Sequence, residues 1–359
     1  MLKPIKITDG HDNFFTPLRI IMALMVIIGH AFVIYYGSSS DEPKMFLHYT
    51  PSYTAVNAFF IASGFLVTKS MLYRGDLGSF SSARILRIFP ALIAHVFIVA
   101  FVIGAFMTAL PLREYFTHPD VLKQPLYVLT FYKTDMFLPG VFLENYEQHG
   151  SAALWTLRYE VLAYIGTAAL FAFGFMRRKW MIAAPLIVCS LAWIIAHRFG
   201  IMDSLPATLR SVLRFGIAYG LGAAMCAYQD KIRLFLPAAI VLGVITYFLN
   251  TAPEVEILYN FVLAIIVFYL AYMKAPKVKF LQNLSDTSYG IYIYHWVILQ
   301  VIKAVNPDIS LGALIVSGTA FSIVVAYGSW LFIEKPALAR KTQFAKLFKR
   351  KTPDVIAAE

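Results

Sequence analysis

RIIMALMVIIGH, residues 19 to 30, sets an arginine and a histidine at the two ends of ten uncharged, mostly large apolar residues. With its flanks it reaches from about 15 to 36, and about 20 apolar residues span a bilayer's hydrocarbon core. The polar ends are the anomaly, because an ionisable group inside a span is costly and by default marks function. Eleven residues at 100° each turn through about 1,100°, three turns plus roughly 20°, so both side chains share one helix face about 16 Å apart along the axis. Alone, Arg19 reads equally as a snorkelling anchor and His30 as a packing histidine. On one stripe, they also suit a long anionic donor that needs a cation at one end and a base at the other.

The whole chain has the same character. Of 359 residues, 59% are hydrophobic and 14% charged, with mean hydropathy +0.68; a soluble domain carries about 25% charged residues. The excess of base, 31 Lys+Arg against 20 Asp+Glu, sits in short clusters between apolar runs, which points to lipid rather than nucleic acid. Cys189 and Cys226 both lie in apolar segments, so neither a disulfide framework nor a metal site is expected. The polar N-terminus MLKPIKITDGHDN has no small-residue cleavage site, so no cleaved signal peptide is expected and the first span is retained.

Ten apolar segments emerge, at roughly 15–36, 53–73, 88–110, 152–176, 180–198, 207–228, 234–250, 256–273, 285–304 and 311–333. One set of loops holds about twenty basic residues, including Arg84, Arg87, Arg177, Lys277 and seven from Lys335 to Lys351. The other set holds six, including Lys44 and Lys133. By the positive-inside rule both termini are cytoplasmic. The fold expected is all-α integral membrane with about ten transmembrane helices. Its membrane domain covers 1–340, and a basic tail over 341–359 rests on anionic lipid. The longest connection, 111–151, is external and semi-apolar, part of it interfacial or re-entrant. No internal repeat is visible, which weighs against an inverted-repeat transporter.

Further polar groups stand in the spans. Arg84 and Arg87 in SARILRIFP are spaced i, i+3 on one face at the inner start of the third span. They are ordinary inner-loop charges or a forked phosphate site. Ser63-Gly64 in FFIASGFLVTKS opens room for close helix packing. In LWTLRYEVLAY, Trp155 is an interfacial aromatic, while Glu160 either pairs with a nearby base or orients His30 as a dyad. DTSYGIYIYHWV carries Tyr289 and a second candidate imidazole, His295; in SWLFIEKP, Pro336 after Glu334 predicts a helix stop.

Arg19 with ten residues before His30, ASGFL at 62–66, RILRIFP at 84–90, LWTLRYE at 154–160, SYGIYIYH at 288–295 and IEKP at 333–336 resemble the ordered motifs of the acyltransferase-3 family. Each is weak alone; six in order over about 12–340 are strong. The resemblance implies a multi-pass enzyme of the bacterial inner membrane. It would take acyl-CoA, often acetyl-CoA, as co-substrate, bind no permanent cofactor, and acylate a hydroxyl of an envelope or extracellular glycan. It also implies His30 as catalytic base and Arg19, Arg84 and Arg87 on the donor side. Ser63 is carried as a donor-side candidate, Glu160 as a catalytic partner, and Trp155, Tyr289 and His295 as further site candidates. Arg158-Tyr159 before Glu160 departs from the small or aliphatic residues usual there, and no appended soluble hydrolase-like domain is expected. The competing readings are a glycan or lipid-linked-precursor transporter or flippase, which also wants buried charge, and a non-enzymatic scaffold, which leaves that charge without a role.

Overall fold

The computed structural model describes residues 5–7, 13–250 and 252–346. Twelve helices carry the architecture: α1 Phe15–Tyr36, α2 Pro51–Arg74, α3 Leu77–Met107, α4 Leu112–Thr117, α5 Pro119–Leu129, α6 Leu157–Ala172, α7 Lys179–Arg198, α8 Ala207–Ala227, α9 Leu236–Phe248, α10 Val255–Tyr272, α11 Ser288–Val305 and α12 Leu311–Lys346. The described strands, β1 Ile5–Lys6 and β2 Arg233–Leu234, form one short antiparallel pair. Among the described residues, six helices, α1, α2, α3, α7, α10 and α12, are long and apolar enough to cross a membrane. Helices also occupy the other four apolar segments. Among them α6 has 16 residues and α9 has 13, short for a spanning helix.

Local chemistry fixes the helix ends. Thr50 caps α2 by accepting from Tyr53 N, with Pro51 in the first turn. Asp76 caps α3 by accepting from Ser79 N at 2.6 Å. That cap starts the third helix at Leu77 rather than near 88, so Arg84 and Arg87 sit inside it rather than before it. Both α3 and α12 contain a π-helical turn, at Ile98–Ile103 and Trp330–Glu334. The second corrects the expected stop at Pro336. The widened turn just ahead of the proline absorbs its missing N–H and bulky ring, and helix continues to Ala339. The tail then packs Lys341–Lys346 against α3; the remaining expected tail, 347–359, lies outside the described residues.

One large apolar core joins α2, α3, α8, α10 and α11, and a smaller one joins Ala23, Ile27, Ala31 and Ile34 of α1 to Leu299 of α11 and Leu314 and Ala326 of α12. Backbone approach is closest between α2 and α8. A Cβ at Gly64 would meet the Tyr219 carbonyl, and one at Gly222 would meet that of Ile61, so each helix needs its glycine. The connection 111–151 forms α4, α5 and an irregular segment laid on α11. Asn145 Nδ2 donates to Gln300 Oε1 at 2.7 Å, Gln300 Nε2 to the Glu147 carbonyl at 2.7 Å, and Trp296 Nε1 to the His149 carbonyl at 2.8 Å. These bonds satisfy non-helical backbone and side-chain polar groups from within the protein.

Candidate active site

The helical phase that puts Arg19 and His30 on one face of α1 turns that face toward α11, and two polar layers follow. In the first, Arg19 Nη1 donates to Asp286 Oδ2 at 2.5 Å, in the connection ahead of α11. Arg87 Nη2 donates to the same oxygen at 2.8 Å, and its Nη1 to Glu334 Oε2 at 3.3 Å. Ser288 Oγ supports Asp286 at 2.6 Å and Ser329 Oγ supports Glu334 at 3.2 Å. Burial pushes the Asp286 carboxyl up, but the guanidiniums of Arg19 and Arg87 and the bonds from Ser288 outweigh it and hold it down to about 2.

A cavity of about 350 Å3 opens on this layer, lined by Arg19, Arg74, Arg84, Arg87 and Lys341, with Asp286 as its acid. Through shared Arg19, Ser63 and Arg87 it meets a narrower cavity of about 50 Å3, which runs past Glu160 and Tyr289 to Val56, Phe59, Phe60, Thr156 and Tyr292. Arg84 stacks its guanidinium 5.5 Å from the Tyr164 ring, and its buried Nε has no hydrogen-bond partner among the described residues. Arg87 also lies 5.7 Å from the Tyr289 ring, whose hydroxyl donates to the Ile88 carbonyl at 2.9 Å.

The second layer is an imidazole pair. His30 Nδ1 and His295 Nε2 are 2.7 Å apart, with the rings stacked at 5.0 Å and 12°. His295 is fully buried, whereas His30 keeps some exposed surface. His295 Nδ1 faces the Ile291 carbonyl at 3.1 Å. A carbonyl only accepts, so in the neutral ring Nδ1 holds the proton and Nε2 is the acceptor. His30 Nδ1–H therefore donates to it, which leaves the lone pair on His30 Nε2. Trp296 packs edge-on against His30 at 5.0 Å.

The structure thus gathers Arg19, Ser63, Arg87, Glu160 and Tyr289 around one narrow cavity, with Arg84 at its wider mouth. His30 and His295 come together one layer on, lining neither cavity; Tyr292, whose ring is 6.0 Å from that of His295, stands between. Glu160 does not form the dyad that was one of its two expected roles. It accepts from the Tyr164 hydroxyl one turn along α6, while the partner of His30 is another imidazole. Trp155 stays 38% exposed, packed on Tyr159 and Phe215 rather than in the cavity. Sequence reasoning passed over Asp286, whose one signal was an acid following the basic run Lys274, Lys277 and Lys279. It also passed over Tyr292, Thr156 and His95, a buried imidazole bonded to Ser151 Oγ at 2.8 Å.

Compared with known proteins, residues 13–334 match the model of a family described as an acyltransferase domain. The chain belongs to the acyltransferase-3 family. As such it is a transferase, and its apolar helices make it a multi-pass membrane protein. The acyltransferase is similar to the O-acetyl transferase of Shigella phage Sf6, 26% identical over 92% of this chain and 97% of that one. It is also similar to Nodulation protein 10 of Rhizobium leguminosarum bv. viciae, 26% identical over 93% and 95%. A putative acetyltransferase, ORF330, of the Acidianus two-tailed virus is 24% identical over 77% of the acyltransferase and 81% of its own length. No solved structure matches.

Proposed function

We propose that this protein moves an acyl group, acetyl first among them, from cytoplasmic acyl-CoA to a hydroxyl of an envelope or extracellular glycan, in a bacterial inner membrane, with His30 as general base. The observation that carries the reading is the imidazole pair. Its hydrogen bonds leave the His30 Nε2 lone pair free, as a base needs. The family and the relative named as an O-acetyl transferase support acyl transfer to oxygen.

In the step proposed, the acceptor hydroxyl gives its proton to His30 Nε2 as its oxygen attacks the thioester carbonyl. The C–S bond then breaks, and the departing sulfur takes the proton back. The cationic mouth suits the donor's phosphates. A pantetheine arm of about 15–20 Å matches the roughly 16 Å between Arg19 and His30. Tyr292 and Thr156, bonded hydroxyl to hydroxyl at 2.5 Å, line the narrow cavity on a side from which the imidazoles are absent, so transfer requires that bridge to part. The charge asymmetry of the loops supports a cytoplasmic side for the cationic mouth.

The test uses purified protein in nanodiscs with radiolabelled acetyl-CoA and a panel of bacterial polysaccharides. The expected result is acetyl-CoA binding, thermal protection by it, and label in one polysaccharide. If acetyl-CoA neither binds nor protects, the donor assignment is wrong.

A further inference from the structure

A second cavity, about 320 Å3 and almost wholly apolar, lies between α2, α6, α7 and α8, lined by Leu162, Leu170, Ile182, Val212 and Ala223 among others. Two of its hydroxyls are engaged with each other. Thr167 Oγ1 and Tyr219 OH bond each other at 2.7 Å, and Thr167 also donates to the Ala163 carbonyl at 3.0 Å. With a lining this apolar, an aliphatic chain is the chemistry that fits.

One residue, Phe60, lines both this cavity and the narrow one running from the cationic mouth. Its ring is 6% exposed and lies flat on Phe215, 4.2 Å between centroids and 9° apart. The narrow cavity begins at Ser63, shared with the mouth, and extends to Val56, seven residues along α2 and so about 10 Å farther in. A donor whose phosphates occupy the mouth therefore brings its acyl end to the stretch walled by Phe59, Phe60, Thr156 and Tyr292. A two-carbon acyl group finishes there. Apolar room for additional carbons lies on the far side of the Phe60 ring.

We infer that Phe60 sets the acyl-chain length this enzyme accepts, and that the apolar cavity behind it is the site a longer acyl chain enters once the ring is out of the way. The inference rests on the acyl-CoA reading above and adds a specificity determinant to it. It needs no change in chemistry: the same thioester is presented, with its chain turned through the α2–α6–α8 wall.

The experiment is displacement of radiolabelled acetyl-CoA by octanoyl-CoA from the full chain in nanodiscs, in wild type, Phe60→Ala and Phe60→Ala/Gly166→Phe. Gly166 lines the apolar cavity, and a Cβ there meets open space, so a phenylalanine can fill the cavity from behind. The expected result is an octanoyl-to-acetyl affinity ratio raised about tenfold or more by Phe60→Ala, from burial of added methylenes, and returned toward wild type by Gly166→Phe. An unchanged ratio in Phe60→Ala, or a raised one indifferent to Gly166→Phe, overturns the inference. Should Phe60→Ala not bind acetyl-CoA, the same ratio is read in Phe60→Leu with butyryl-CoA, where a rise supports the inference and no rise overturns it. Failure of wild type to bind acetyl-CoA would instead sink the donor assignment.

Discussion

As the proposed base, His30 needs its ring aimed by something else. The bond it donates to His295 is made possible by one backbone acceptor, the Ile291 carbonyl, a turn below His295 on α11. His295→Leu should therefore cut kcat about 10–100-fold, a part of what a general base contributes. KM for acyl-CoA should stay put, because His295 lines neither cavity of the proposed donor site. His295→Asn, whose amide oxygen can accept from His30, should recover part of the loss; equal losses in both would assign His295 to packing. Asp286 yields a pH prediction. Its folded pKa, about 2, lies below the unfolded value near 3.9. Its stabilisation is therefore present above about pH 4 and lost as pH falls through about 2. The thermal stability gap between wild type and Asp286→Asn should be full at pH 6 and narrow between about pH 4 and 2; a gap constant with pH would contradict the ion-pair role. Arg19 and His30 were legible as single residues because charge inside an apolar run stands out. Their partners were not, because Asp286 and His295 lie more than 260 residues away and only packing joins them.

At the scale of the helix, the small-residue signal at Ser63-Gly64 proved physical: α2 meets α8 there, backbone to backbone. Gly64→Ala and Gly222→Ala should each destabilise the protein by about 1–3 kcal/mol through overpacking, measured as loss of thermal stability in detergent. Gly243→Ala, whose Cβ meets open space on α9, should cost nothing comparable. Comparable losses at all three would mean that helix contact is not the cause. Helix interiors were legible from apolar runs, but ends were not always. Asp76 extends α3 through a polar stretch that reads as loop, and the π turn carries α12 past a proline that reads as a stop. Both are local geometry that apolar periodicity does not encode. They matter for the site, since the first puts Arg87 on a rigid helix and the second supplies Glu334 to meet it.

Across the whole molecule, the layout rests on which loops face which side. The charge asymmetry predicts that an impermeant thiol reagent labels Ser39→Cys, in the α1–α2 connection, from outside intact cells. Arg177→Cys, between α6 and α7, should label only after permeabilisation; both positions are exposed. The reverse pattern would invert the orientation and put the cationic mouth outside. Composition made the membrane class legible, and family resemblance made the chemistry legible. Neither could show that the narrow cavity and the imidazole pair are separate layers, with the Thr156–Tyr292 bond at the cavity wall. The claim that joins these scales is that His30 does the chemistry while the arginine layer does the binding. The most direct measurement compares wild type and His30→Ala in one nanodisc preparation, reading acetyl-CoA affinity and single-turnover acetyl transfer together. The expected result is unchanged affinity with transfer lowered at least about 100-fold; equal transfer by the two proteins would contradict His30 as the base.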